Sequence, residues 1–121
     1  MTGVVSLSPD IEDKVELTFE EKLVDFGEVR RGEKREHTFY FENTGNVDIE
    51  IDLVSSCDCT TIDWPEGKKI KPGARDSLHA IFDSTDKEES ETVDIDIILT
   101  NTDKNGNPVF YTIQYKFVLI Q

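Results

Sequence analysis

In VDIEIDL, Val47 to Leu53, apolar Val47, Ile49, Ile51 and Leu53 alternate with Asp48, Glu50 and Asp52. Successive side chains of a strand point to opposite faces, so this spacing predicts a half-buried strand and suits no helix. The same period recurs along the chain. Val15, Leu17 and Phe19 share one parity in VELTF, and LVDFG follows from Leu23. Phe39 and Phe41 share a face in KREHTFYFEN, with His37 on the same parity. Leu78, Ala80 and Phe82 are expected to point inward in SLHAIF, and Val93, Ile95, Ile97 and Leu99 in TVDIDIILT. The last run, PVFYTIQYKFVLI, is apolar on both parities towards its end. No segment carries a helical period.

Turn residues separate these runs. NTGN holds Gly45, KPGA puts Pro72 before Gly73 as in a type II turn, and DKNGN holds Asn105-Gly106, a hairpin signal. DSTDKEESE, Asp83 to Glu91, has no apolar residue and is expected to be an exposed, mobile loop. About seven strands spaced in this way predict an all-β, immunoglobulin-like antiparallel β-sandwich. Residues 1–14 read as an N-terminal extension and 15–121 as the sandwich domain.

A chain of 121 residues is long enough to bury a core without metal or disulfide staples. Its 13 Lys and Arg stand against 26 Asp and Glu, a formal charge of −13. Such a surface repels phosphates and anionic lipid heads, which argues against nucleic-acid binding and favours solubility. No apolar run reaches the roughly 20 residues of a spanning helix, so direct membrane insertion is not expected. MTGVVSLSPD has neither the basic nor the apolar region of a signal peptide. This fits a cytoplasmic protein or a chain that begins after a removed export signal.

The residues with most chemistry lie in SSCDCTTIDWP, Ser55 to Pro65. Cys57 and Cys59 would face the same side of an extended strand, with Cα atoms about 6.5–7 Å apart. That is near the upper limit for a disulfide, and a local turn at Asp58 would ease it. Four readings stay open: packing only, an internal disulfide, a disulfide with a partner, and a soft-metal site for Cu(I). A strained, exposed disulfide oxidises other thiols readily, so a redox role is chemically sensible. Zinc would require further ligands, and His37 and His79 lie on other strands. Trp64, beside Pro65, is either a partner anchor or a cap on the core. Asp48, Glu50, Asp52, Asp94 and Asp96 read as the wet faces of strands. The acidic loops lack the ligand spacing of an EF-hand. Trp64, Tyr40, Tyr111 and Tyr115 are the candidates for an aromatic, carbohydrate-binding platform. No catalytic constellation and no cofactor motif is present in the sequence.

The motifs also occur in a recognisable order. Phe26-Gly27, Arg31-Gly32-Glu33-Lys34, Phe39 with Phe41, Asn43-Thr44-Gly45, Cys57 with Cys59, Pro72-Gly73 and Phe82-Asp83 together resemble the bacterial family called Domain of Unknown Function 1573. The resemblance covers roughly Leu23 to Asn101, and less distinctly the final strands. It implies an immunoglobulin-like sandwich related to hydin-like and major sperm protein-like domains. Members often carry export or lipoprotein signals, which implies a place in the cell envelope. The family usually has Gly between its cysteines, where this chain has Asp58, a residue that tolerates a left-handed backbone less well. The expected function is a non-enzymatic binding or structural module acting through protein–protein contacts. The alternative is a thiol site at Cys57 and Cys59 on the same scaffold.

Overall fold

The computed structural model describes residues 12–121. The N-terminal extension expected over 1–14 falls mostly outside that range. Nine strands follow in order: β1 (Leu17–Phe19), β2 (Leu23–Arg30), β3 (Lys34–Asn43), β4 (Ile49–Ser55), β5 (Thr60–Asp63), β6 (Lys69–Ile70), β7 (Arg75–Asp83), β8 (Glu91–Thr102) and β9 (Pro108–Ile120). One sheet has the order β1-β3-β7-β5 and the other β2-β9-β8-β4-β6. The all-β sandwich is therefore as expected. Nine strands replace about seven because β5 and β6, with four and two residues, are too short to show a period. The sandwich is antiparallel except for one pair, since β2 runs parallel to β9.

Alternation explains which side chains meet between the sheets. Phe39, Phe41, Leu78, Ala80 and Phe82 of one sheet face Ile49, Ile51, Val93, Ile95, Ile97, Leu99, Ile113 and Tyr115 of the other, all buried. Phe26, Phe82, Tyr115 and Phe117 form an aromatic cluster with centroid separations from 4.5 to 6.3 Å. Burial of about a dozen such side chains, at roughly 1.5–3 kcal/mol each, is the main force holding the sheets together.

Leu53 departs from the simple pattern. The β4–β8 register slips between Ile51↔Leu99 and Leu53↔Ile98, so two steps on β4 oppose one on β8. Such a bulge turns the residues after it to the opposite face. Leu53 is consequently exposed, beside Ile98 and Phe110 on the outer face of that sheet.

The recurrent motifs are turn locks. Asn43 is fully buried. Its Nδ2 donates to the Val47 and Ile70 carbonyls, both at 2.8 Å, and its Oδ1 accepts from Gly45 N–H at 3.0 Å. A Cβ on Gly45 would overlap the Lys14 carbonyl, so no larger residue fits there. Ser84, also fully buried, donates to the Glu33 carbonyl at 2.7 Å and accepts from Gly32 N–H at 2.9 Å. The expectation of a wholly exposed loop from Asp83 to Glu91 is thus wrong at its start. A small hydroxyl can be buried when every lone pair and proton has a partner. In the β8–β9 hairpin, Gly106 takes φ +84° after a turn closed by its N–H to the Asp103 carbonyl.

Candidate functional site

Residues 56–59 carry the chain from β4 in one sheet to β5 in the other. Asp58 and Cys59 form a turn there, closed by Thr60 N–H donating to the Cys57 carbonyl at 3.1 Å. The turn brings the two cysteine Cα atoms to 5.1 Å, and Cys57 and Cys59 are joined as a disulfide. Asp58 achieves this without a left-handed backbone, since no residue other than glycine has positive φ among the described residues. Asp in place of Gly is therefore compatible with the bridge.

The disulfide lies on the core end of β5. Thr60 faces inward, and its hydroxyl shares a hydrogen bond of 2.6 Å with the Tyr115 hydroxyl. That hydroxyl lies 3.5 Å from Cys59 Sγ and 3.9 Å from Cys57 Sγ. Burial pushes the Tyr115 phenol up to about 12, partly opposed by the Thr60 hydrogen bond, and the Glu91 carboxylate raises it further. Tyr115 stays neutral at any physiological pH and serves as a fixed polar group between core and disulfide. Outside the bridge a cavity of about 380 Å³ is lined by Asp58, Asp83, Thr85, Asp86 and Lys87. The Lys87 ammonium sits 2.9 Å from a Glu91 oxygen, with its stem mostly covered.

β5 is also a sheet edge. Asp83 N–H donates to the Cys59 carbonyl at 2.9 Å, which fixes the hydrogen-bonding phase of the β5–β7 ladder. With Thr61↔Ile81 and Asp63↔His79 in that phase, Thr60 and Ile62 direct their backbone groups away from the sheet. Thr60 N–H is used by the turn. The Thr60 carbonyl and both backbone groups of Ile62 have no partner among the described residues.

The longer edge, β2, differs. Asp25 Oδ1 accepts from Gly27 N–H at 2.8 Å, and Glu33 Oε1 from Arg30 N–H at 2.8 Å. The Arg35 guanidinium reaches the Glu28 carbonyl at 3.4 Å. The Glu33 carboxyl is held below its ordinary range chiefly by that Arg30 N–H. Part of β2 is thus closed by its own neighbours, a device natural edges commonly use.

The other sequence candidates do not join this site. His37 Nε2 donates to the Glu21 carboxylate at 2.8 Å and the ring lies edge-on to Phe39, while His79 bridges Thr38 and Glu36 on the outer face of the β3–β7 pair. Among the described residues no group of three His, Cys, Asp or Glu side chains is placed to hold a metal. Trp64 is half-buried and packs on the core beside β5, with part of its surface in a depression shared with Pro65, Asp76 and Ser77. The aromatic platform does not form. Tyr115 is in the core, and Tyr111 packs on Phe19 and accepts the Leu17 N–H, leaving Tyr40 exposed alone. Sequence reasoning found the cysteines but missed Thr60 and the open backbone of Ile62, and it read Tyr115 as a platform ring, not as the polar neighbour of the bridge. Edge position depends on sheet order, for which four residues of β5 give no signal.

Comparison with known proteins supports the architecture. A search of curated proteins found no match. Among solved structures, the chain is similar to a PapD-like domain of human CEP192, with a TM-score of 0.68 at 12% identity over 100% of this chain and 98% of that one. It is similar to a protein of unknown function from Porphyromonas gingivalis, with a TM-score of 0.65 at 22% identity over 93% of this chain and 51% of that one. It is also similar to the VesB protease of Vibrio cholerae, with a TM-score of 0.64 at 12% identity over 84% of this chain. The chain spans only 31% of that protease. At these identities the likeness concerns the fold alone. The family model for proteins described as "Protein of unknown function (DUF1573)" matches residues 17–114, most of the sandwich, and the chain belongs to that family.

Proposed function

We propose that this domain is a non-enzymatic recognition module that binds protein partners along the β5 edge, beside the Cys57–Cys59 bridge and Trp64. The observation that carries the reading is the contrast between β5 and β2, the longest of the four edge strands β1, β2, β5 and β6. β2 has its Gly27 and Arg30 N–H groups and its Glu28 carbonyl taken by Asp25, Glu33 and Arg35, whereas neither the donor nor the acceptor of Ile62 on β5 has a partner among the described residues. Open edges take up extended segments through main-chain hydrogen bonds, and flanking side chains supply the selectivity. The disulfide fixes the start of β5, which reduces the ordering needed on binding.

The test is selection of a random dodecapeptide display library on the wild-type protein, followed by binding to Ile62→Pro. Proline removes the free donor without breaking a β5–β7 hydrogen bond. Selected peptides are expected to lose binding to Ile62→Pro while the amide NMR spectrum of the variant shows that it stays folded. Peptides that bind both proteins equally would refute the proposal.

A second reading treats the bridge as a redox site, supported by the cavity that gives solvent access to it. Replacing both cysteines by Ser separates the two. A recognition edge retains partner binding within a few-fold, and a thiol site loses all activity.

A further inference from the structure

The surroundings of β5 define the chemistry of the segment it would accept. This step rests on β5 being the recognition edge. Asp58 is exposed just before the strand, and Asp83 and Asp86 line the cavity beside it. At the other end Asp63 is exposed on the outer face, followed after Pro65 by exposed Glu66. Asp58, Asp63 and Glu66 have no cation within salt-bridge distance among the described residues, although ten other ion pairs are present there. Between these acids, Thr60 and Ile62 offer three open backbone groups over a strand of four residues.

A second copy of this chain is disfavoured on the same grounds. Antiparallel pairing of two β5 strands would bring the Asp63 end of one against the Asp58 end of the other, with like charges opposed. A net charge of −13 adds to the repulsion.

We infer that the β5 edge accepts an extended, basic peptide segment that pairs by backbone hydrogen bonds with Ile62 and sets Lys or Arg residues against Asp58 and Asp63. The short strand limits pairing to a few residues, so the charges at both ends provide most of the discrimination. Attraction of this kind weakens as salt rises.

The experiment is amide NMR of the full chain with three end-blocked peptides at millimolar concentration: Lys-Val-Thr-Val-Lys, its Glu-Val-Thr-Val-Glu counterpart, and a neutral Ser-Val-Thr-Val-Ser. The Lys peptide is expected to shift the amides of Thr60 to Asp63, to bind at least tenfold more tightly than the Glu peptide, and to lose about tenfold in Asp58→Asn/Asp63→Asn. These substitutions are on exposed side chains, so folding is retained. If the neutral or Glu peptide shifts β5 equally well, or the Asn variant binds the Lys peptide unchanged, the basic-segment inference fails while β5 stands as an edge. If every shift falls outside β5, or none of the peptides binds, both fail.

Discussion

Replacing Asn43 by Ala should be among the most damaging single changes in the domain. Its side chain satisfies three backbone groups: the Ile70 carbonyl, which is buried, and the Val47 carbonyl and Gly45 N–H at the margin of the turn. Losing the buried bond to the Ile70 carbonyl costs about 2 kcal/mol. Water partly replaces the other two bonds, for about 1 kcal/mol each, which gives about 4 kcal/mol in all. That is a large share of the roughly 5–15 kcal/mol by which such a domain is stable. Urea unfolding followed by Trp64 fluorescence should show the midpoint falling by about 2 M, for a slope near 2 kcal/mol per M. Asn43→Asp sharpens the test, because it keeps the acceptor for Gly45 but points a carboxylate at two carbonyls. Those carbonyls raise the carboxyl's folded-state pKa above its unfolded value. The variant should therefore be more stable at low pH and lose stability as pH rises through the folded pKa. A loss below 1 kcal/mol for Asn43→Ala would refute the view that the Asn-Thr-Gly motif locks the fold.

Other expectations follow from the site. Tyr115→Phe leaves the Thr60 hydroxyl with only the Cys57 and Cys59 sulfurs, which are weak acceptors, and chemical denaturation should show a loss of about 1 kcal/mol. Because the folded phenol titrates near 12 and the unfolded one near 10, the unfolded state sheds its proton first. Wild-type stability should then fall between pH 10 and 12 by about 2 kcal/mol, a slope that Tyr115→Phe abolishes in pH-dependent urea melts. Cys57→Ser/Cys59→Ser opens a very short loop, so the loss should be roughly 1–2 kcal/mol, with peptide binding at β5 weakened only a few-fold. The carboxyls of Glu33 and Asp83 are held low by backbone and hydroxyl donors, and carbon-detected titration should place each below the ordinary value for its own residue type. Their stabilisation is present above the unfolded pKa and is lost as pH falls through the lowered values.

Much of the fold was legible because alternation is a local signal. Phe39, Leu78, Ile95 and Ile97 face the core where their parity put them. Leu53 did not, because a bulge depends on how β4 meets β8, and no residue in VDIEIDL marks it. The parallel pairing of β2 with β9 joins the two ends of the domain and has no local trace. Trp64 proved to rest on the core, and Tyr115 and Tyr111 went inward because β9 is covered on one face along its whole length. The cysteines were visible as candidates, but their bridge depends on a turn that contracts Cα separation to 5.1 Å. The family's signature residues turn out to be those that secure turns, Asn43 with Gly45 and the Gly32 region with Ser84. Such turn residues specify the scaffold, which is why the motif order foretold the fold far better than the function.

The central claim is that β5 offers an open backbone. Hydrogen exchange at the Ile62 amide tests it most directly, measured with and without a peptide selected from the display library. The account predicts near-intrinsic exchange in the free protein and at least tenfold slowing in the complex. Strong protection in the free protein, or a bound peptide that leaves Ile62 exchange unchanged, would contradict it.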